Sequence, residues 1–259
     1  MLQADRLDVQ GPSLGISNDS RKVEADGSCY IWRRPGKGNV HDWKQEHRLE
    51  KTAACLDVPL MAFNEETGEK VTRFVAGLQE FKDSDENNKF ERAGQLLQRL
   101  HGLEVPDNVF DPFHLYMEYR HVCKNPVVFP EETEVLRACR ALWRPDAFCH
   151  NDLVSGNILL GKRDYLIDYE FAGANDPRFD VASFFSENNI TDEAQRNSFY
   201  KGYGAMDDGE VRLFERLADM IWANWAQRLW EIRQDPLLAQ IRDDKIRHYK
   251  KIALHSGNP

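Results

Sequence analysis

Long apolar runs are missing from this chain. No stretch of its 259 residues reaches the roughly eighteen consecutive apolar positions that a membrane-spanning helix needs, and residues 1–12 carry no apolar signal core. Membrane insertion is therefore not expected, and a cytoplasmic enzyme is. Cysteine is sparse and unpatterned: the five, at positions 29, 55, 123, 139 and 149, form no C-x-x-C pair and no metal-ligand spacing. Disulfides and a zinc site are not expected. Positive charge is in deficit, with 34 Lys and Arg against 43 Asp and Glu and a formal net charge of −9. That field opposes a nucleic-acid partner and suits a cationic small molecule, so any anionic ligand must be met by locally placed Arg or Lys. Internal repeats and low-complexity tracts are absent as well; the most polar stretch, residues 83–89, is short. The length suffices for one large domain or two lobes, and nothing in it sets an oligomeric state.

What is present concentrates in one stretch. Residues 150–159 read H-N-D-L-V-S-G-N-I-L, and residues 165–170 read Y-L-I-D-Y-E. A carboxylate (Asp152), an amide five residues on (Asn157), an apolar run, a turn at 161–164 and a second apolar run ending in Asp168 describe two short strands joined by a tight turn. Such a hairpin gathers Asp152, Asn157 and Asp168 at one end. Phosphoryl transfer to an alcohol needs charge neutralised and the hydroxyl aimed rather than covalent help from the protein. Asp168 and Asn157 are hard oxygen ligands suited to Mg²⁺, and Asp152 is placed to orient a hydroxyl and accept its proton.

These blocks, H-N-D-L-x-x-x-N-I-L, I-D-Y-E-F-A-G at 167–173 and D-P-R-F-D-V-A at 176–182, resemble the choline/ethanolamine kinase family within the kinase-like small-molecule phosphotransferases. The resemblance implies an α+β, two-lobed protein-kinase-like fold: a small antiparallel-sheet lobe over residues 1–75 and a larger, mostly helical lobe over 76–259. It implies ATP and Mg²⁺ as cofactors, and an aspartate that braces the catalytic loop through backbone N–H groups, here Asp180. His150 is read as a loop brace, because a carboxylate two residues on already fills the role of base.

In the first lobe, residues 20–23 and 29–33 are strand candidates around an Asp26-Gly27 turn. The segment Gly15-Ile16-Ser17-Asn18 resembles the family's phosphate loop, with Leu14 where the family has its first glycine; Ser17 and Asn18 add side-chain donors. Residues 31–38, I-W-R-R-P-G-K-G, resemble the family's V-L-R-x-P-G-K-G and place Arg33 at the nucleotide phosphates. Arg33 and Arg34 point to opposite faces if the strand runs that far. Apolar or small residues at 43, 49, 52, 53 and 56 give a helix over 42–56 with Asp42 as N-cap. Glu46 matches the helix glutamate that pairs with the lobe's cation, with Glu50 one turn on as the alternative. Residues 59–63 and 69–75 make a second hairpin, and 75–77 the linker between lobes.

Helical spacing dominates from residue 86. Residues 90–100 end at Gly102 as a C-cap, with His101 as a structural histidine; two helices fall within 107–143; others begin near Pro177 and cover 191–203, 210–232 and 236–254. Three of the six tryptophans lie within residues 222–230. Trp222 and Trp225 share one helical face, which fits a core stripe and also fits an aromatic wall for a quaternary ammonium, each ring contributing on the order of 0.5–2 kcal/mol when desolvated. The resemblance favours the wall, since choline kinases carry W-x-x-W on this helix; Trp230 is left to packing. It also suggests Tyr249 as a third ring, and Glu170 as a second metal ligand or a carboxylate toward the pocket. The implied reaction is phosphorylation of the hydroxyl of choline. The alternatives are the same chemistry on ethanolamine, thiamine or another small amino alcohol, and, from another class, an inactive nucleotide-binding module.

Overall fold

The computed structural model describes residues 8–10, 18–36 and 42–255. In chain order the elements are β1 (Asp8–Gln10), β2 (Asn18–Ala25), β3 (Ser28–Pro35), α1 (Trp43–Thr52), β4 (Leu60–Phe63), β5 (Lys70–Arg73), β6 (Gln79–Glu80), α2 (Lys89–His101), α3 (Pro112–Val122) and α4 (Glu132–Leu142). There follow β7 (Ala147–Cys149), β8 (Ile158–Leu160), β9 (Tyr165–Leu166), β10 (Gly173–Asn175), α5 (Pro177–Glu187), α6 (Glu193–Tyr203), α7 (Asp208–Arg233) and α8 (Pro236–His255). Packing divides the chain into two compact units: Met1–Ser84 with Gly156–Phe171, and Asp85–Ser155 with Ala172–Pro259. The division is thus not at a single point, because the 156–171 hairpin joins the N-terminal unit.

The first unit is built on an antiparallel sheet of order β1-β2-β3-β5-β4. Asp26 (φ 51°) and Gly27 (φ 69°) form a two-residue turn that sets Ala25 opposite Ser28, and both left-handed residues match the twist of the flanking strands. Helix α1 starts where Asp42 accepts the N–H of Gln45 at 3.1 Å, and it buries Glu46, Leu49 and Glu50. Two of these three are acids, so α1 is held by charge as well as by apolar burial. A smaller sheet, β6-β8-β9, adds the hairpin: Ile158 faces Leu166, and the Ile167 N–H reaches the Asn157 carbonyl at 3.0 Å.

The second unit is helical apart from the β7–β10 pair, which sets Cys149 opposite Gly173. Its long helix α7 is buried along most of its length, and α3, α5, α6 and α7 each start with an aspartate accepting N–H groups of the first turn. Helices α2 and α6 approach so closely that a Cβ on Gly94 would lie 2.3 Å from the Phe199 carbonyl oxygen. No described helix is long and apolar enough to cross a membrane.

Candidate active site

In the first unit a line of buried charge runs inward from the hairpin. Arg33, on β3, is 4% exposed and donates through Nη1 to Asp168 and through Nη2 to Glu46 Oε1 at 2.5 Å. Its neighbour Arg34 lies on the other face, over the Trp32 ring and paired with Asp19. Lys70 was not singled out by sequence. It begins β5 directly opposite Arg33 and contacts Glu46 and Glu50, each at 3.3 Å. Burial works against both cations, yet the surrounding carboxylates win and raise their pKa values above the usual ranges. Asp57 closes the line. Burial, then the nearby Glu50 carboxylate, pushes it well above the usual range, while its Oδ1 accepts the Val58 N–H at 2.6 Å.

The hairpin places three oxygen donors at one end. Asn157 is buried at the foot of β8, Asp168 follows β9 with φ 70°, and Glu170 lies two residues beyond. A non-glycine residue in the left-handed region costs on the order of 1 kcal/mol or more, and such strain collects at functional positions. Burial, then the Asp168 carboxylate, raises Glu170 to about 7, and Asn18 donates to it at 3.3 Å. An amide and two carboxylates so arranged, one carboxylate driven toward its neutral form, are the donor chemistry of a hard divalent cation such as Mg²⁺. Ser17, Gly15 and Lys37 lie outside the described residues.

In the second unit, Asp152 is half-buried on the loop after β7, and that loop is tied to α5 on both sides of it. Asp180 accepts the N–H of His150 at 2.7 Å and of Asn151 at 2.6 Å; Ser183 Oγ accepts the Leu153 N–H at 3.3 Å; Asn188 donates to the Leu153 carbonyl at 2.9 Å. Asn151 has φ 67°, and its side-chain oxygen accepts from Asn175 at 2.8 Å. His150 is fully enclosed. His101 bridges Tyr203 (2.8 Å) and Asp180 (3.1 Å), the structural part expected of it. His101, Cys149 and Asp180 are close enough to hold a metal among the described residues. Asp180 is already committed to hydrogen bonds, and burial holds the Cys149 thiol well above its usual range, so the trio braces the loop.

Trp222 and Trp225 meet edge to face on α7, ring centroids 6.1 Å apart; Trp222 is 5% exposed and Trp225 half-buried. Tyr249 does not join them as an open ring. It is buried, packs against Phe129 with the rings tilted by 52°, carries the Arg216 guanidinium over its face at 4.8 Å, and donates its hydroxyl to the Pro130 carbonyl. Those contacts tie α8 to the segment before α4 and make Tyr249 a packing residue.

Comparison with known proteins agrees with this architecture. Residues 8–232 match the phosphotransferase enzyme family. Protein LicA of Haemophilus influenzae is 24% identical over 240 residues, which cover 82% of this chain and 71% of that protein. Among solved structures, the choline kinase LicA from Streptococcus pneumoniae superposes with a TM-score of 0.75 at 23% identity, over 95% of this chain and 92% of that one. A LicA structure in complex with AMP superposes with a TM-score of 0.74 at 20% identity, over 97% and 95%. The sheet-bearing first unit and helical second unit are those of the two-lobed protein-kinase-like fold, and with a family match spanning most of its length, this chain belongs to the phosphotransferase enzyme family.

Proposed function

We propose that the protein transfers the γ-phosphoryl group of ATP to the hydroxyl of choline, with Mg²⁺. The observation that carries the phosphotransfer reading is the buried Glu46–Arg33–Asp168 chain with Glu170 and Asn18 beside it. It combines a cation for phosphate with acids for a metal in a chain that is otherwise strongly anionic. Asn157, Asp168 and Glu170 would hold Mg²⁺, which supplies neutralisation of charge on the transferring group when bound. Arg33, kept charged by Glu46 and Asp168, binds the phosphates; Asn18, with Ser17, adds donors there. Asp152 orients the acceptor hydroxyl and takes its proton, and the bonds from Asp180, Ser183 and Asn188 to its loop keep that aim. The LicA complex with AMP supports an adenine nucleotide here.

Choline is favoured over ethanolamine by Trp222 and Trp225. A quaternary ammonium has no N–H to donate and is held by ring faces, whereas ethanolamine draws on carboxylates. The test is product formation: protein, ATP, Mg²⁺ and choline should yield phosphocholine by ³¹P NMR. Formation of phosphoethanolamine but no phosphocholine would overturn the choline assignment, and no phosphorylated product from any cationic alcohol would overturn the reading as a whole.

A further inference from the structure

Asn151 stands immediately before Asp152, and its backbone is left-handed at φ 67°. Asparagine enters that region more readily than most residues, yet only a small share of non-glycine residues are found there. Its N–H donates to Asp180 at 2.6 Å, its Nδ2 to the Cys149 carbonyl at 3.4 Å, and its Oδ1 accepts from Asn175 Nδ2 at 2.8 Å. Rotation about the N–Cα bond swings the side chain against the N–H. With Asp180 holding the N–H and Asn175 the side chain, φ is pinned, and φ sets the direction in which the chain reaches Asp152.

Asn175, the last residue of β10, is fully buried, and its surroundings settle which way its amide points. Two N–H groups converge on Oδ1: Trp143 Nε1 at 2.7 Å and the Asp176 backbone at 2.8 Å. The oxygen must face them, and the NH₂ must face Asn151. Trp143 is clamped in turn, edge to face with Phe113 and with the Arg140 guanidinium over its ring at 4.9 Å. An ionised aspartate would accept the same two N–H groups but has no proton to give Asn151. The donor is what asparagine adds here.

We propose that Asn175 is a positioning residue for Asp152: oriented by Trp143, its amide holds Asn151 in the left-handed conformation and so aims the Asp152 carboxylate. This rests on the reading of Asp152 given above. Stability alone does not account for two enclosed amides meeting at this point, because replacing both partners of a buried hydrogen bond by apolar groups of the same shape can be nearly neutral.

The experiment is a double-mutant cycle on the full chain with ATP, Mg²⁺ and choline, combining Asn175→Ala with Asn151→Gly, which adopts a left-handed backbone freely but offers no amide to hold. With Asn151 in place, Asn175→Ala lowers kcat about tenfold, while KM for choline and calorimetric ADP affinity stay within about twofold. In the Asn151→Gly background the same substitution changes kcat by less than about twofold. Equal losses in the two backgrounds would show that Asn175 does not act through Asn151; they overturn the positioning role and leave the reading of Asp152 standing. Should Asn175→Ala fail to fold, Asn151→Ala tests the same geometry, since it keeps a Cβ in the left-handed region and removes the tether. There kcat falls about tenfold or more at unchanged KM, and a kcat within about twofold of the unaltered protein overturns the proposal. Absence of turnover by the unaltered protein overturns both the proposal and the reading of Asp152.

Discussion

Asp180→Ala removes one carboxylate that receives three donors inside the helical unit: the N–H groups of His150 and Asn151 at 2.7 and 2.6 Å, and His101 Nε2 at 3.1 Å. A hydrogen bond to a charged group contributes roughly 1.5–3 kcal/mol net, and a buried donor left without an acceptor keeps its full desolvation cost. The two backbone bonds alone give about 3–6 kcal/mol; water entering the space left by the carboxylate would re-satisfy part of this and draw the value toward the lower end. We expect a loss of about 4 kcal/mol from a total that for single domains is about 5–15 kcal/mol. Asp180→Asn leaves one acceptor oxygen but turns an NH₂ toward the other N–H, so it should recover only part. Urea unfolding followed by tryptophan fluorescence reads this directly, since Trp143, Trp222, Trp225 and Trp230 all lie in that unit. A midpoint shift at constant slope reports stability. Turnover in the still-folded variant should drop by about a hundredfold, because displacing the loop by an ångström or so misaims Asp152. A loss below about 1 kcal/mol with normal turnover would show that Asp180 does not hold the loop.

Trp222→Ala should lower kcat/KM for choline by about twofold to thirtyfold, the equivalent of one desolvated ring at roughly 0.5–2 kcal/mol, and spare ethanolamine; equal losses for both acceptors would remove the aromatic wall. Asp152→Ala should abolish turnover while ADP binding survives in calorimetry. Glu215 is enclosed in α7, where burial raises it to about 7 against the pull of Arg196, with His248 and Asp219 also facing it. A folded pKa above the ordinary value means that the stability Glu215 adds is complete below the usual carboxylate range and is lost as pH rises through about 7. Relative to Glu215→Gln, the unaltered protein should therefore lose stability between about pH 4.5 and 7, with a slope approaching one proton, or ~1.4 kcal/mol per pH unit. A flat difference across that range in paired urea titrations would contradict it.

Much of this was legible locally. The Asp26-Gly27 turn, the helical spacing through 90–100 and the Asp42 start of α1 depend on neighbours a few residues away, and these formed where the spacing placed them, although α1 ends at Thr52 rather than running to residue 56. Strand parity separated Arg33 from Arg34, and the structure buries Arg33. Other features were not legible, some for a nonlocal reason and some because the local pattern is too short or too common. Lys70 opens a strand like many surface lysines, and its burial follows only from the register that sets it against Arg33. Strands β7 and β10 are three residues long, too short for a period, and one contains Gly173 and Asn175. Tyr249 reads as an aromatic on an amphipathic helix, and only the Arg216 guanidinium and the Pro130 carbonyl show that its ring and hydroxyl are already taken. Ser183 and Asn188, which hold Leu153, carried no signal at all, since small polar residues near the end of a helix are common.

The proposed reaction moves the γ-phosphoryl group of ATP onto the hydroxyl of a cationic alcohol, with Asp152 taking the hydroxyl proton. A coupled ADP-release assay with ATP and Mg²⁺ over choline, ethanolamine, thiamine and an aminoglycoside tests it most directly. Release should depend on the acceptor, be fastest with choline, and vanish in Asp152→Ala. Release that is indifferent to acceptor, or that persists at the same rate without Asp152, would contradict the account.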